Sequence, residues 1–554
     1  MSSARRRGTR QGRRPKTGAG SVRPRDLTSG QRGRASAVGL SGRRVLWAPL
    51  AATFGLLLVS FVPRVQQHVV LTRSFWVAVA ALLGWQAWLF FRLENASVPR
   101  SFHTLLRPQH YLQATLHTAV FVYWGYFWPP VYDHAWLLVG QLFFAYAFDM
   151  LLSWSRRDSY GLGFGPFPII FSTNLFLWFR DDWFYLQFLL VAVGFLGKEF
   201  VRWHRDGQRV HIFNPSAFSL GLFSLVLIVT GTTNITWGDP IATTLNLAPN
   251  PFLFLFVVGL VAMYFFSITL VAAGAAAALF GLSALYTAVT GVPFFIDSEI
   301  PIAVFLGLHL LVTDPSTSPR TAPGKLIFGL LYGAAVFGLY ELLGLLSLPT
   351  FYDKLLCVPL LNLSVQRIDR MARALPQTWL VGRGAGEAIP RRANLAHMAI
   401  WILLFGVMAT RGAADGTHTG DSIPFWQTAC DEDRRKACST MGLLEVVYCR
   451  DGAGWACNEV GVHYTEGFTR PGFVLAPNPE FAGASFSRAC ELGFEAGCAN
   501  LQSTGALTRG DPPLSDLRVL LRQGRLTLQD MSEQDLRTRA CRHGWTFACT
   551  GGAQ

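Results

Sequence analysis

The sequence predicts an all-α protein in two parts, a polytopic bundle of about 10–13 transmembrane helices and a disulfide-bridged carboxy-terminal domain of paired helices. Three observations carry this reading. Hydrophobic residues make up 51% of the 554 and charged residues only 15%, against roughly a quarter charged in soluble proteins. Apolar windows of spanning length recur from residue 45 to residue 410. All but one of the 9 cysteines follow residue 411, in four pairs of identical spacing.

Residues 1–44 form a basic tail with Arg5, Arg6, Arg7, Arg10, Arg13, Arg14 and Lys16, and they account for much of the formal charge of +14. So few apolar side chains predict disorder. A basic tail beside an apolar segment marks the cytoplasmic side and anchors anionic lipid, rather than reading nucleic acid. The apolar run Val45–Val62 is too long for the core of a cleaved signal peptide, so it is expected to remain as the first span of a membrane domain covering 45–411.

Apolar windows fall near 45–62, 75–92, 111–129, 134–154, 166–179, 183–201, 216–231, 251–270, 272–290, 299–313, 326–347, 352–366 and 396–410. The windows 166–179, 299–313 and 352–366 are short, which predicts tilted, re-entrant or half-helices. With the tail inside, the cytoplasmic loops are Asn95–Gln109, Ser155–Gly165, Arg202–Phe213, Asp314–Lys325 and Arg367–Arg392, and each carries basic residues. Outer loops such as Arg180-Asp181-Asp182 are acidic, although Pro63–Ser74, with Arg64 and Arg73, fits less well. An odd number of spans leaves a linker at 412–424 and a domain at 425–554 outside.

The cysteine pairs are Cys430/Cys438, Cys449/Cys457, Cys490/Cys498 and Cys541/Cys549, and an alanine, glycine or tyrosine precedes each member. Zinc sites favour closer spacing and nearby histidines, and only His463 and His543 are at hand, so disulfides fit better and no metal is expected. Such bridges need an oxidising compartment, in agreement with the charge-derived topology. Cys357, alone in a span, reads as a small buried hydrophobe. With Met441-Gly442-Leu443-Leu444 and Glu459-Val460-Gly461-Val462-His463-Tyr464 after the pairs, residues 425–550 resemble the cysteine-rich SEL-one-like repeats, relatives of tetratricopeptide repeats. The resemblance implies a small α-solenoid that binds an extracytoplasmic protein on a concave face; the stretches 470–480 and 503–537 are longer than that pattern.

Within the membrane domain the polar and helix-breaking residues are informative, because each is costly in lipid. Three segments stand out: Gly197-Lys198-Glu199 with His211-Ile212-Phe213-Asn214-Pro215-Ser216; Thr313-Asp314-Pro315-Ser316-Thr317-Ser318-Pro319 with Gly324-Lys325-Leu326-Ile327-Phe328-Gly329; and Pro359-Leu360-Leu361-Asn362 with Ile368-Asp369-Arg370. Asn214 and Asp314 also suit helix caps beside proline, and Asn362 suits an interhelical hydrogen bond.

In this order the three segments resemble the RnfD and NqrB family, membrane subunits of bacterial complexes that couple electron transfer to ion pumping, over about residues 110–375. The resemblance implies flavin mononucleotide (FMN) joined through its phosphate to a threonine. Here Ala242-Thr243 and Leu245 match only the second half of the attachment motif, which makes Thr243 the candidate, while Pro240-Ile241 replaces the Ser/Thr-Gly half. It further implies that Asn214, Asp314 and Asn362 shape cofactor sites, that other membrane subunits are partners, and that the chain sits in a bacterial inner membrane with a periplasmic carboxy terminus. The alternative is a cofactor-free scaffold displaying the repeat domain.

No Walker phosphate loop, His-Glu-x-x-His or Gly-x-Ser-x-Gly sequence occurs, and the run Gly161-Leu162-Gly163-Phe164-Gly165 lacks the setting of a nucleotide fingerprint. His103, His110 and His117 face no second histidine pair at helical spacing, which argues against haem. Whether the chain is an enzyme in its own right is left open by its sequence.

Overall fold

The computed structural model describes residues 35–38, 42–93, 101–205, 207–296, 298–375, 380, 389–413, 418–470, 473–503, 505–521 and 531–549. They are mostly helical. Helices of the first part are α1 (Trp47–Val59), α2 (Pro63–Gln66), α3 (Val69–Leu93), α4 (Pro108–Phe127) and α5 (Pro130–Arg156). Then follow α6 (Pro166–Asn174), α7 (Tyr185–Phe200), α8 (Pro215–Thr230), α9 (Gly238–Thr244) and α10 (Pro251–Phe266). The last five are α11 (Thr269–Thr290), α12 (Ile302–Leu310), α13 (Ala322–Leu345), α14 (Asp353–Arg373) and α15 (Arg391–Met408). One continuous apolar core runs through them from Val45 to Met408.

Among the described residues, five helical segments are long and apolar enough to cross a membrane: Val69–Arg92, Pro130–Arg156, Thr269–Thr290, Ala322–Leu345 and Arg391–Arg411. A sixth arises if Pro240–Leu247 and Pro251–Phe266, which meet at 100°, count as one broken span. Apolar windows therefore overstate full-length spans. The windows at 166–179 and 299–313 hold helices of only 9 residues, α6 and α12. The window at 352–366 errs the other way: α14 has 21 residues and carries helix past Arg367, through Pro359, into a segment expected to be loop.

Ion pairs and strands separate two ends of this bundle. At one end the backbone ends of neighbouring helices pair with each other: β1 (Ala35–Val38) runs antiparallel to β2 (Ser101–Leu105), which runs parallel to β3 (Ser159–Leu162). The hairpin of β4 (Arg202–Arg205) and β5 (Gln208–His211) lies between α7 and α8. These strands correct the all-α expectation, and β1 shows that residues 35–38 belong to the fold rather than to a disordered tail; residues 1–34 lie outside the described residues. Backbone groups of the chain connecting the helices need partners, and pairing as short strands supplies them. At the other end, Arg64 forks onto Asp181 at 2.8 and 2.9 Å, which accounts for the arginine that suited its loop poorly.

Two devices let α-helices approach closely inside the core. Gly329 and Gly333, four residues apart on α13, face α11; a Cβ on Gly329 would collide with the Val271 carbonyl, and one on Gly333 would come within 2.5 Å of the Ala275 carbonyl. Such small-xxx-small spacing brings backbones into contact where lipid offers no hydrophobic drive. The second device closes the broken α6. Asn174 Nδ2 donates to Gln141 Oε1 at 2.7 Å, His134 Nε2 meets Asn174 Oδ1 at 3.1 Å, and Gln187 Oε1 accepts the Phe179 amide at 3.1 Å. The chain leaving the half-helix thus keeps its buried polar groups satisfied.

The carboxy-terminal part has a core of its own, into which the membrane part inserts Val292. Its helices are α16 (Ile423–Asp431), α17 (Ala437–Arg450), α18 (Gly454–Glu466), α19 (Pro479–Glu491), α20 (Glu495–Gln502), α21 (Leu514–Leu520), α22 (Glu533–Arg542) and α23 (Thr546–Cys549). A hairpin of β6 (Phe468–Arg470) and β7 (Phe473–Leu475) separates α18 from α19.

All four expected disulfides form. Cys430 is joined to Cys438, Cys449 to Cys457, Cys490 to Cys498 and Cys541 to Cys549, with Cα atoms 4.5–4.8 Å apart. Each bridge ties the end of one helix to the next helix in the chain. The four differ in their surroundings: Cys430, Cys438 and Cys457 are buried in the domain core, whereas Cys449, Cys490, Cys498 and Cys541 are half-buried and Cys549 is exposed. Cys357 is free and buried.

The turn under each bridge is the same. Three residues after the first cysteine, Gly452, Gly493 and Gly544 have φ of +101°, +83° and +88°, and Asp433 holds the equivalent place at +55°. One residue later, an amide donates back to the carbonyl preceding the cysteine: Arg434 to Ala429, Ala453 to Tyr448, Phe494 to Ala489, Trp545 to Ala540. This is the Schellman closure, which favours glycine in its left-handed position. The expected linker at 412–424 is itself structured from His418: Gly420 and Asp421 are buried, and the His418 ring meets the Ile296 carbonyl at 3.2 Å. Residues 414–417 lie outside the described residues.

Candidate functional site

The three membrane segments singled out in the sequence converge at the bundle end that carries β1. Asn214 caps α8: its Oδ1 accepts from the Ser216 amide at 3.1 Å and the Ser216 hydroxyl at 2.8 Å, while its Nδ2 donates to the Leu311 carbonyl at 3.1 Å. The Asn214 amide in turn donates to Asn362 Oδ1 on α14 at 3.2 Å. Asp314 closes its own loop, accepting from the Ser316 hydroxyl at 2.7 Å and the Thr317 hydroxyl at 3.0 Å. Capping beside proline accounts for the Asn214 contacts, whereas Asp314 begins a turn rather than a helix and closes that turn with its own side chain.

Asp369, from the third segment, supports this loop from behind. Its carboxylate accepts from the Arg320 amide at 2.9 Å and from the Arg205 guanidinium at 2.6 Å, with both charged side chains buried. Arg205 also donates to the Ser318 carbonyl at 3.1 Å, so one ion pair ties the β4–β5 hairpin, the Asp314 loop and α14 together.

In front of the loop lies a cavity of about 320 Å³ bordered by α4, α6, the α7 end, β5, α8 and the Asp314 loop. That size falls within the usual range of small-molecule sites. Asn214 and Asp314 line it, whereas Asn362 stands behind Asn214 and does not. Gln109, Gln113 and His117 also line it, and sequence reasoning missed them as a set. Their signal was present: residues 109, 113 and 117 follow one another at the four-residue spacing of a single helix face, in an otherwise apolar window. His117 is buried, its Nδ1 meets the Gln113 carbonyl at 2.6 Å, and its Nε2 has no hydrogen-bond partner among the described residues. Arg107 and Lys198 add positive charge to the wall. His211, on the hairpin, has its imidazolium disfavoured by burial, with Asp314 opposing and Lys198 and Arg202 adding to the shift.

Thr243 is elsewhere. Its exposed hydroxyl donates to the Pro240 carbonyl at 3.1 Å within α9 and borders a separate cavity of about 180 Å³, below the common ligand range. That cavity also meets Asp353 and Lys354, a buried ion pair at 2.9 Å. The exposed hydroxyl is open to esterification, but Ile241 is buried where the attachment motif has glycine. The structure therefore brings Asn214, Asp314 and Asn362 together and leaves Thr243 apart.

The bridged cysteines border neither cavity. Cys457 packs in the carboxy-terminal core and Cys498 stands in the last bridge before α21, so these residues, like the other six, hold helices together and offer no free thiol for chemistry.

A flavin ring needs hydrogen-bonding groups along one edge and a flat enclosed space. The first cavity has amide, hydroxyl and imidazole groups of that kind, including the His117 nitrogen without a partner among the described residues, so its residues suit the ring edge; the Thr243 cavity also has polar groups but is too small for the ring. His110 and His117 line the first cavity, and His103 lies in β2, away from them. Among the described residues no cluster of three or more metal-ligating side chains forms. No protein-family description matches this chain, and it matches no curated protein and no solved structure.

Proposed function

We propose that this chain is a membrane subunit of a redox-driven, ion-coupled electron transport complex, holding a flavin in the cavity beside Asn214 and Asp314. The observation that carries the reading is the convergence of three separated segments on one polar cavity at the end of an apolar bundle. Bound there, a flavin would supply one- and two-electron transfer. The chain's own residues would do the rest: Gln109, Gln113 and His117 orient the ring edge, Lys198 and Arg107 favour its reduced, anionic form, and the Asp369–Arg205 pair keeps the loop in place. Thr243 is a second attachment point in this reading only if an adduct is found there.

Alternation of the two bundle ends supports thirteen passes, with α6 and α12 each continued by non-helical chain through the protein interior. The ends carrying Arg64, Asp181, Glu341 and the disulfide domain then share one side, and those carrying β1, Asp369 and Lys325 share the other. We assign the first side to the periplasm of a bacterial inner membrane, because four disulfides require an oxidising space. The bridged helix pairs act there as an α-solenoid that recruits a partner protein.

The test is flavin content of the full chain purified in detergent with added FMN. Acid-released flavin near one per chain, reduced at least tenfold by Gln113→Leu together with Lys198→Ala, supports the cavity. An intact-mass adduct lost in Thr243→Ala would add the second site. Neither free nor attached flavin would leave the cofactor-free scaffold, a reading favoured by the hydrogen-bonding capacity that Asn214 spends on its helix cap and Asp314 on its own turn.

A further inference from the structure

Arg156, Arg157 and Arg202 gather around one carboxylate where α5 and α7 end, at the bundle end carrying β1. Glu199 receives the Arg202 guanidinium at 2.8 Å and the Arg156 Nε at 3.4 Å, and Arg157 contacts it as well. Glu199 is nearly buried, whereas the side chains of Arg156 and Arg157 are 41% and 43% exposed. One carboxylate cannot neutralise three guanidinium groups. Among the described residues, Lys198 and Arg209 add two further cations on the same segments, Arg205 being paired with Asp369, against Asp149 and Asp158. The crowding shows in the proton equilibria: burial first, then the neighbouring Arg202, lowers the pKa of Arg157, and burial, then Arg209 and Arg156, lowers that of Arg202.

Beside this cluster α7 turns a purely apolar stripe outward. Leu189, Leu196 and Phe200 are exposed and follow one another at helical spacing toward the cluster. The Arg156 guanidinium lies over the Phe200 ring at 4.5 Å, so the stripe and the charge are continuous. An unmet positive charge at the end of a lipid-facing stripe fits a ligand with both acyl chains and phosphate. We propose that Arg156, Arg157 and Arg202 with the α7 stripe form a binding site for an anionic phospholipid, whose phosphate completes the charge balance around Glu199. This site is separate from the cavity and does not depend on the flavin reading.

The experiment is native mass spectrometry of the full chain in detergent, titrated with diphosphatidylglycerol, with phosphatidylcholine, and with inorganic phosphate as competitor. The diphosphatidylglycerol is expected to bind at least tenfold more tightly than phosphatidylcholine and to resist millimolar phosphate. Changing all three arginines to glutamine should remove that preference, and Glu199→Gln, which deletes the competing carboxylate, should strengthen anionic lipid binding several-fold. Equal binding of the two lipids by the unaltered chain, an unchanged preference in the triple variant, or a weakened one in Glu199→Gln would overturn the proposal. Displacement by inorganic phosphate would overturn it too, in favour of a soluble anion.

Discussion

Helices α6 and α16 each have 9 residues, far too few to be stable alone, yet the two parts of the molecule finish them differently. Where α6 stops, Asn174, Gln141, Gln187 and His134 bond among themselves and to the departing backbone. Where α16 stops, a Schellman turn reverses the chain and the Cys430–Cys438 bridge fastens the next helix. The surroundings explain the choice. Away from water an unmade hydrogen bond costs more than it does at a surface, so a few amides hold a broken helix firmly. A small water-facing domain has too little core to order many short helices, and cross-links lower the entropy of its unfolded chain.

The contrast is broken most directly by a reductant. Each bridge is expected to contribute about 2–4 kcal/mol, so reducing all four should unfold the carboxy-terminal part, read as protease sensitivity after residue 418, while the membrane part keeps its melting temperature in detergent. Simultaneous loss of both parts would show that the insertion of Val292 and the junction make them one cooperative unit.

Next in size is the buried ion pair. Asp369→Ala leaves Arg205 uncompensated in the interior, which costs roughly 3–5 kcal/mol and frees the Asp314 loop. Thermal unfolding of the membrane part should fall accordingly with the disulfide domain unaffected. Asp369→Asn, which keeps acceptor geometry for the Arg320 amide, should lose less; an equal loss would deny the charge its part.

The junction gives a smaller, pH-dependent effect. Burial disfavours the His418 imidazolium, but the nearby Glu299, with Asp421, outweighs it and raises the pKa above 6.5. Burial likewise opposes ionisation of Glu299, and His418 with Ser283 outweighs it and lowers that pKa below 4.5. A raised histidine contributes stability below its unfolded value and loses it as pH rises through its folded value; a lowered carboxylate contributes above its unfolded value and loses it as pH falls through its folded one. The contact is therefore strongest between the two ordinary values, at mildly acidic pH. Amide exchange at Gly420–Ser422, corrected for intrinsic rates, should be slower near pH 6 than near pH 8, and Glu299→Gln should erase the difference.

Smallest is Asp433, the only non-glycine at its turn position among the four bridged turns. Asp433→Gly should raise the stability of the carboxy-terminal part by about 0.5–1 kcal/mol. No gain in denaturant midpoint would mean that the Arg470 ion pair at 3.7 Å already offsets the backbone cost.

Much of this was legible beforehand. Cysteine spacing alone specified the four pairs, because a bridge between adjacent helix ends requires one fixed turn. What spacing did not record is how differently the bridges are seated, with Cys457 inside the core and Cys498 half-exposed to its edge, since that depends on which helices pack over them. The apolar windows located every membrane-part helix except the two shortest, α2 and α9, and the Asn-Pro and Asp-Pro segments marked where chain and cavity meet. Strand β1 was missed because four residues beside a basic tail have no periodicity long enough to read. The lengths of α6, α12 and α14 were misjudged because hydropathy measures how apolar a segment is, and a buried non-helical chain such as Leu175–Phe179 is as apolar as a helix.

By itself, then, the sequence determined which residues enter an apolar environment, which cysteines pair, and which loops gather at one end of the bundle, since partitioning, short-loop closure and charge asymmetry act over a few neighbouring residues. Only the tertiary structure decided that Asn214, Asp314 and Asn362 share one place while Thr243 stands apart, that His117 presents a bare nitrogen to the cavity, and that Asp369 reaches Arg205. Those contacts join residues about 50 to 160 positions apart in the chain, and at that separation no local pattern records which groups the packing of helices will bring together.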